Sequence, residues 1–348
     1  MNKKLLTVAV SAAIFAVPMM AQAETAFYGN LQYELASVDD GATSIMTNAD
    51  NKRGRLGVKA DEDLGNGLKA VAKFEWQVDT TDASIPSGTR ESWVGLSGNF
   101  GTVSAGSVQS PYKYYGGMSY DAFGTTLLEA RSNGGLSGKD TDMGTTAGGA
   151  FGHHGFIHNA ISYKGTFDAI EVWVVTSLDE AGINTAGVGG DDKGSDGDLA
   201  AGIKFSQDNF EVFAAMANDD NGADIGGAQV TDSYSATKFG GMFKMGDTKI
   251  FAQMESTTAE PTSGAPDYET DIIFVGVNHT IGKNTLVAQL GQADDDSANT
   301  LDYMALGVIH KFSKKTRAFV GYGTSSDDDA GPNFRDDTVI DLGLRVDF

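Results

Sequence analysis

The sequence predicts an all-β protein: a closed antiparallel barrel of sixteen strands that crosses a membrane. Three observations carry this. Segments of about ten residues alternate apolar and polar side chains, and short turns alternate with long polar gaps. Beyond residue 23, no stretch approaches the ~18 apolar residues that a spanning helix needs. A soluble propeller or sandwich also alternates in polarity. Its apolar faces must meet each other, however, and it gives no reason for short turns to alternate with long loops.

The chain opens with Lys3 and Lys4, the apolar run Leu5 to Val17 and the small-residue site Ala21-Gln22-Ala23. That order reads as an export signal over residues 1–23, with the mature chain starting near Glu24. As a membrane anchor the run is too short. Residues 24–348 then read as one barrel domain.

The strand pattern is clearest at the end. Ile340, Leu342, Leu344, Val346 and Phe348 share one face, and Asp341, Gly343, Arg345 and Asp347 share the other. The same period of two runs through Leu68, Ala70, Ala72, Phe74, Trp76 and Val78, and returns at Ile170, Val172 and Val174 and at Phe210, Val212, Ala214 and Met216. It blurs at Ile272 to Val277, where apolar residues run on continuously.

Tight connections are expected at Leu64–Gly67, Gly98–Gly101, Gly165–Asp168, Gln207–Asn209, Gly246-Asp247, Gly282–Asn284 and Ser313–Lys315. Long gaps fall near residues 38–52, 80–88, 111–155, 179–197, 219–232, 258–267, 294–299 and 326–336. Seven turns alternating with eight loops give sixteen strands with both chain ends on the turn side, so the barrel can close. Pro86, Pro111, Pro261, Pro266 and Pro332 all fall in the long gaps, as a residue that cannot donate to a ladder should.

Charge and composition exclude several functions. There are 25 Lys and Arg against 47 Asp and Glu; losing Lys3 and Lys4 with the signal leaves 23 against 47, a net charge of −24. Nucleic acid is therefore not an expected partner. The absence of Cys removes disulfides, thiolate chemistry and cysteine-ligated metals.

Several pieces resemble, in order and spacing, the trimeric general diffusion porins of Gram-negative outer membranes. These are Arg55-Leu56-Gly57-Val58-Lys59 with Glu62 to Ala70, then Val94-Gly95-Leu96 with Phe100-Gly101, then Asn159 to Tyr163, and the terminal Phe348. The resemblance spans the mature chain. It implies short periplasmic turns, long extracellular loops and a third loop, here about 111–155, that folds into the barrel and narrows it. It further implies a homotrimer in the cell outer membrane that lets ions and small hydrophilic solutes diffuse passively. Lipid, lipopolysaccharide and the barrel assembly machinery would be its partners, the last reading Phe348. A disordered, Gly-rich external loop is the other reading of 111–155.

A diffusion pore needs a wetted lumen with a transverse field, not a nucleophile. If Leu56 and Val58 face lipid, parity puts Arg53, Arg55 and Lys59 inward, and likewise Lys69, Lys73 and Arg90 on the next strands. The resemblance places Arg55 and Arg90 in a basic wall of the constriction, with acidic residues opposite on the third loop; Asp121 and Glu129 are the candidates. These arginines would also pair with interior carboxylates near the wall. Where the family often has Arg after the third loop this chain has Phe156, with His153, His154 and His158 nearby. Together with the net charge, a smaller basic cluster predicts a mild cation preference. The three histidines have no spacing that fixes a metal ligand set.

No cofactor is expected. The acidic clusters Asp191-Asp192, Asp219-Asp220, Asp294–Asp296 and Asp327–Asp329 lie in long gaps and read as solvated loop charge; they are also candidate holders of surface Ca²⁺ or Mg²⁺. Phe27, Tyr28, Trp76, Trp93, Tyr163, Phe312 and Phe348 are expected near strand ends, as interfacial girdles. An outer-membrane protease or phospholipase is the rival from another class, although no Ser, His and acid cluster stands out. A loop-borne adhesin or phage-receptor role is compatible with a pore.

Overall fold

The computed structural model describes residues 24–39, 44–49, 54–81, 89–131, 136, 156–178, 198–219, 224–225, 228–229, 231–262, 264, 266–295, 300–327 and 337–348. The signal at 1–23, Arg53, His153, His154 and most of the acidic loop clusters lie outside these residues.

Sixteen antiparallel strands form the barrel. They are β1 (Glu24–Asp39), β2 (Ser44–Ala49 and Gly54–Gly65), β3 (Leu68–Val78), β4 (Thr89–Gly98), β5 (Gly101–Gln109), β6 (Phe156–Phe167), β7 (Ile170–Ser177) and β8 (Leu199–Ser206). Then follow β9 (Phe210–Asp219), β10 (Thr231–Met245), β11 (Thr248–Pro261), β12 (Tyr268–Ile281), β13 (Asn284–Asp295), β14 (Thr300–Lys311), β15 (Thr316–Asp327) and β16 (Asp337–Asp347). Each strand pairs with its sequence neighbour, and β16 pairs with β1 from Asn30↔Asp347 to Asp39↔Thr338, which closes the sheet. Closure leaves no unpaired edge, as a lipid surround requires.

The tight turns fall where the sequence places them, with small shifts. Gly65, Asn66 and Gly67 all take positive φ in the β2–β3 turn. The β6–β7 turn sits at Asp168 and Ala169, one step later than expected, with Asp168 at φ 52°. The first long gap shrinks because Ser44–Ala49 pairs with the far half of β1 and continues β2. Pro261 is not in a gap: it ends β11 opposite Thr231, where the missing N–H costs the ladder little.

Parity sorts the wall into two faces. Leu31, Leu35, Val94, Leu96, Ile203, Val212, Phe239, Ile250, Leu306, Val320, Leu342 and Leu344 are each exposed on the outside. In water such a belt would be an aggregation surface; facing lipid, it is the driving force for insertion. Phe27, Tyr163, Phe312 and Phe348 lie at the turn end of this face, where interfacial aromatics belong. Tyr28 and Trp93 do not: both point into the lumen, held by the carboxylates of Glu75 and Glu91. The two chain ends lock together at Gly29, whose N–H and C=O bond Phe348 O and N at 3.2 and 3.0 Å.

Candidate functional site: a loop-narrowed lumen

The loop after β5 turns inward at once. Ser110 accepts a hydrogen bond from Tyr112 N–H at 3.1 Å and caps α1 (Pro111–Tyr114), which Pro111 opens with its fixed φ and no donor to waste. A second short helix, α2 (Gly117–Tyr120), follows. Tyr112, Tyr115, Tyr120, Phe123, Leu128 and Leu136 are then buried against the inside of the wall.

The wall makes room with glycine. A Cβ on Gly307, Gly321 or Gly323 would run into Phe123 or Leu128, and one on Gly291 into Leu136. Polar bonds fix the loop's path. Tyr112 Oη donates to Glu255 Oε2 at 2.9 Å, and Gly117 N–H donates to Gln253. Ala122 N–H donates to Gln289 at 2.8 Å, Tyr303 Oη to Leu128 O at 2.6 Å, and Leu127 N–H to Glu34 at 2.9 Å. The loop thus leaves the wall at β5, crosses to β9 and β11, and runs along the inside to β1.

On the opposite wall stands the basic cluster. Glu75 of β3 is its hub: it accepts from Tyr28 Oη at 2.7 Å and Arg90 Nε at 3.0 Å, with Arg55 Nε at 3.6 Å and Lys73 Nζ at 3.8 Å. Lys73 also pairs with Glu91, and the Lys59 ammonium lies 4.7 Å over the Tyr28 ring. Gly57 is what lets that ring lie across β2. The arginines therefore do pair with interior carboxylates, yet three cations share two acids and Lys59 stands beside them on the Tyr28 ring.

Arg90 reaches this cluster by a route parity does not give. Glu91 pairs with Glu75 and Trp93 with Lys73, so a regular β4 would turn Arg90 to lipid. A bulge intervenes: Trp76 pairs with Thr89, leaving Arg90 unopposed and free to swing inward.

Phe156 does not thin the cluster as expected. Its ring is contacted by the Arg90 guanidinium and the Lys113 ammonium, each 4.6 Å from the centroid, so the loop itself delivers a cation where the strand lacks one. His158 bonds Ser107 Oγ at 2.8 Å, and no metal-holding group of His, Cys, Asp and Glu occurs among the described residues.

Asp121 and Glu129 are not on a water-facing acidic rim. Asp121 accepts from Phe123 N–H and Gln289 Nε2 at 2.8 Å and from Ala130 N–H at 2.9 Å; Glu129 is fully enclosed and accepts from Thr125 N–H at 2.9 Å. The physical reason is that a loop with little regular structure leaves backbone donors orphaned, and these carboxylates satisfy them. Burial is the main cause that pushes Asp121 up to about 6, against its hydrogen bonds.

A second basic row escaped the sequence reading. Lys311, Arg317 and Arg345 are direct cross-strand neighbours on the inward face of β14, β15 and β16, near the turn end. Arg345 pairs with Asp347 at 2.9 Å and donates to Thr125 of the loop at 3.3 Å. Each residue is an ordinary charge in an alternating strand. Only the register brings them side by side.

Comparison with known proteins places this geometry. A family model described as Gram-negative porin matches residues 7–330. The major outer membrane protein P.IB of Neisseria gonorrhoeae is 35% identical over 115 residues, 31% of this chain and 33% of that protein. The chain thus aligns with about a third of the length of the curated relatives it matches. Among solved structures, the anion-selective porin from Comamonas acidovorans superposes with a TM-score of 0.77 at 21% identity, covering 94% of this chain and 100% of that one. The trimer form of OmpT of Vibrio cholerae gives 0.68 at 18%, covering 94% and 99%. At these identities the likeness is one of fold.

Proposed function

The chain belongs to the Gram-negative porin family, and from that premise we propose that it forms a water-filled channel for passive diffusion of ions and small hydrophilic solutes. Porins are outer-membrane channel proteins rather than enzymes. The observation that carries the reading is the two-faced wall: an apolar belt outside, and inside a lumen lined by charge and narrowed by a loop fastened across it. In this reading the tight turns are periplasmic and the long loops extracellular. Phe348 serves as the assembly signal, and the acidic loops hold surface divalent cations.

The sign of selectivity follows from where the charges sit. The mild cation preference expected from the net charge rests on carboxylates of the loops. At the narrowing, Arg55, Lys59, Lys73 and Arg90 outnumber Glu75 and Glu91, Lys311, Arg317 and Arg345 face the lumen beyond, and Asp121 and Glu129, the loop's acids among the described residues, are buried. Fixed charge near the constriction acts on a permeating ion through less water than charge at the mouth, so we infer a preference for anions. The name of the Comamonas structural neighbour agrees with this sign.

Assembly as a homotrimer is supported by the trimer form of the Vibrio neighbour and by the small outward side chains Ala70 and Ala72 on β3. Single-channel recording in a planar bilayer under a potassium chloride gradient tests the whole reading. Stepwise channels are expected, with a reversal potential of anion-preferring sign that moves toward cations in Arg55→Ala and Arg90→Ala. Folded protein without channels would refute the pore; an unmoved reversal potential would refute the basic wall.

A further inference from the structure

Between the root of the inward loop and the turn end, the lumen wall is hollowed into a pocket of about 420 Å³ that diffusion alone does not require. Its origin lies in side-chain size. Thr102 and Ser104 of β5 and Ser162 of β6 are short, while their neighbours on either side are long: Lys59, Lys73 and Trp93 on one flank, Lys164 and Trp173 on the other. A floor of hydroxyls between two indole-bearing walls makes a concavity within the roughly 300–1,000 Å³ range of small-molecule sites.

The walls are also chemically divided. Trp93, Trp173, Val71 and Val108 give the pocket apolar sides. Trp173 is held rigidly by donating Nε1–H to Ser162 at 3.0 Å and by ring contacts with Tyr114 and Tyr115 of the loop, and Trp93 by donating to Glu91 at 2.9 Å. Three ammonium groups line the same space. Lys73 is neutralised by Glu91 and Glu75, and Lys164 by Glu171 at 3.5 Å while lying 4.1 Å over the Trp173 ring. Lys59 has its ring contact with Tyr28 but no ion pair among the described residues.

We propose that this pocket is a binding site for small aromatic carboxylates: a flat apolar body between the indole walls, and one carboxylate on Lys59. An inorganic anion would leave the indole and valine surface uncovered, and a neutral arene would forgo the ion pair that the lumen-exposed Lys59 offers. A sugar would find hydroxyls on the floor, with the carboxylates of Asp61 and Glu91 and the amide of Gln109 beside them. But Asp61 is already paired with Lys69, Glu91 is held by Lys73 and Trp93, and Gln109 donates to Tyr114, so the sugar's hydroxyls would have to compete with bonds already made. Lying against the loop root, such a site would hold a solute beside the narrowing and so slow its passage; that consequence rests on the channel reading, whereas the binding itself does not.

Intrinsic fluorescence of the full-length protein in detergent tests it, because the chain has three Trp, of which Trp93 and Trp173 line the pocket. In a Trp76→Phe background, benzoate is expected to change the emission saturably, with benzyl alcohol and acetate each at least about tenfold weaker. Lys59→Gln, a polar exchange at a lumen-exposed position, should cost benzoate about tenfold and leave benzyl alcohol unchanged. Benzyl alcohol or maltose binding as tightly as benzoate, or a Lys59→Gln titration that does not move, would overturn the proposal. Parallel bilayer recordings separate the two readings. Open channels without a benzoate titration remove the pocket and keep the pore; a saturable titration without channels does the reverse.

Discussion

The seating of the inward loop should weaken as pH rises through about 6. Asp121 lies on that loop, enclosed beneath Gln289 and the backbone of Phe123 and Ala130, and burial raises its carboxyl from 3.8 to about 6 while Glu129 adds repulsion. A carboxyl raised in the seated state prefers its proton there. The loop's grip is therefore complete below about pH 4, declines as pH climbs from there to 6, and is weakest above. Each pKa unit is worth 1.36 kcal/mol, so a shift of roughly two units makes the ionised seat costlier by about 3 kcal/mol, a hundredfold or so in the ratio of released to seated loop. Single-channel records between pH 4.5 and 7.5 read that ratio as fluctuations between conductance levels. In Asp121→Asn the amide still accepts from one N–H but meets another as a donor. Its baseline should be noisier and should lose the step near pH 6, while Glu129→Gln should keep a midpoint but lower it. Fluctuations that grow rarer as pH rises, or an Asp121→Asn profile that matches the wild type, would refute the reasoning.

Two further outcomes follow from packing. Leu128 is 1% exposed and seats over Gly321 and Gly323, so Leu128→Ala should cost the seat about 2–5 kcal/mol and appear as a noisier, larger conductance with the heat stability of the barrel nearly kept. Gly29→Val would push a side chain into the Phe348 ring and the Arg55 carbonyl; the β1–β16 seam should lose about 1–3 kcal/mol and the barrel should unfold at a lower temperature in gel-shift assays, with channel properties of the folded fraction little changed.

Period-two alternation and turn chemistry are local, and for that reason the strand count, the turn positions and the apolar belt were legible in the sequence. The site was legible only where parity held. Arg55 and Lys73 point inward because their strands are regular. Arg90 points inward because its strand is not, and a bulge leaves no mark in one strand read alone. Lys113 and the Lys311, Arg317 and Arg345 row required knowing which segments meet across the lumen or the register. Asp121 and Glu129 look like solvent charge in a polar loop. Their role as backbone acceptors exists only once the loop is folded.

The loop's path has a mechanical side. It is rooted on one side of the cylinder and tied to strands from β9 round to β1 on the other, so it spans the bore like a strut. A bare sixteen-stranded tube can flatten through small changes in the angle between neighbouring strands, each of which leaves the hydrogen-bond ladder intact. A strut across its diameter opposes that ovalisation. The element that makes the passage narrow thereby also keeps it round, and shortening it to widen the pore would yield a hole whose shape follows the pressure of the surrounding lipid.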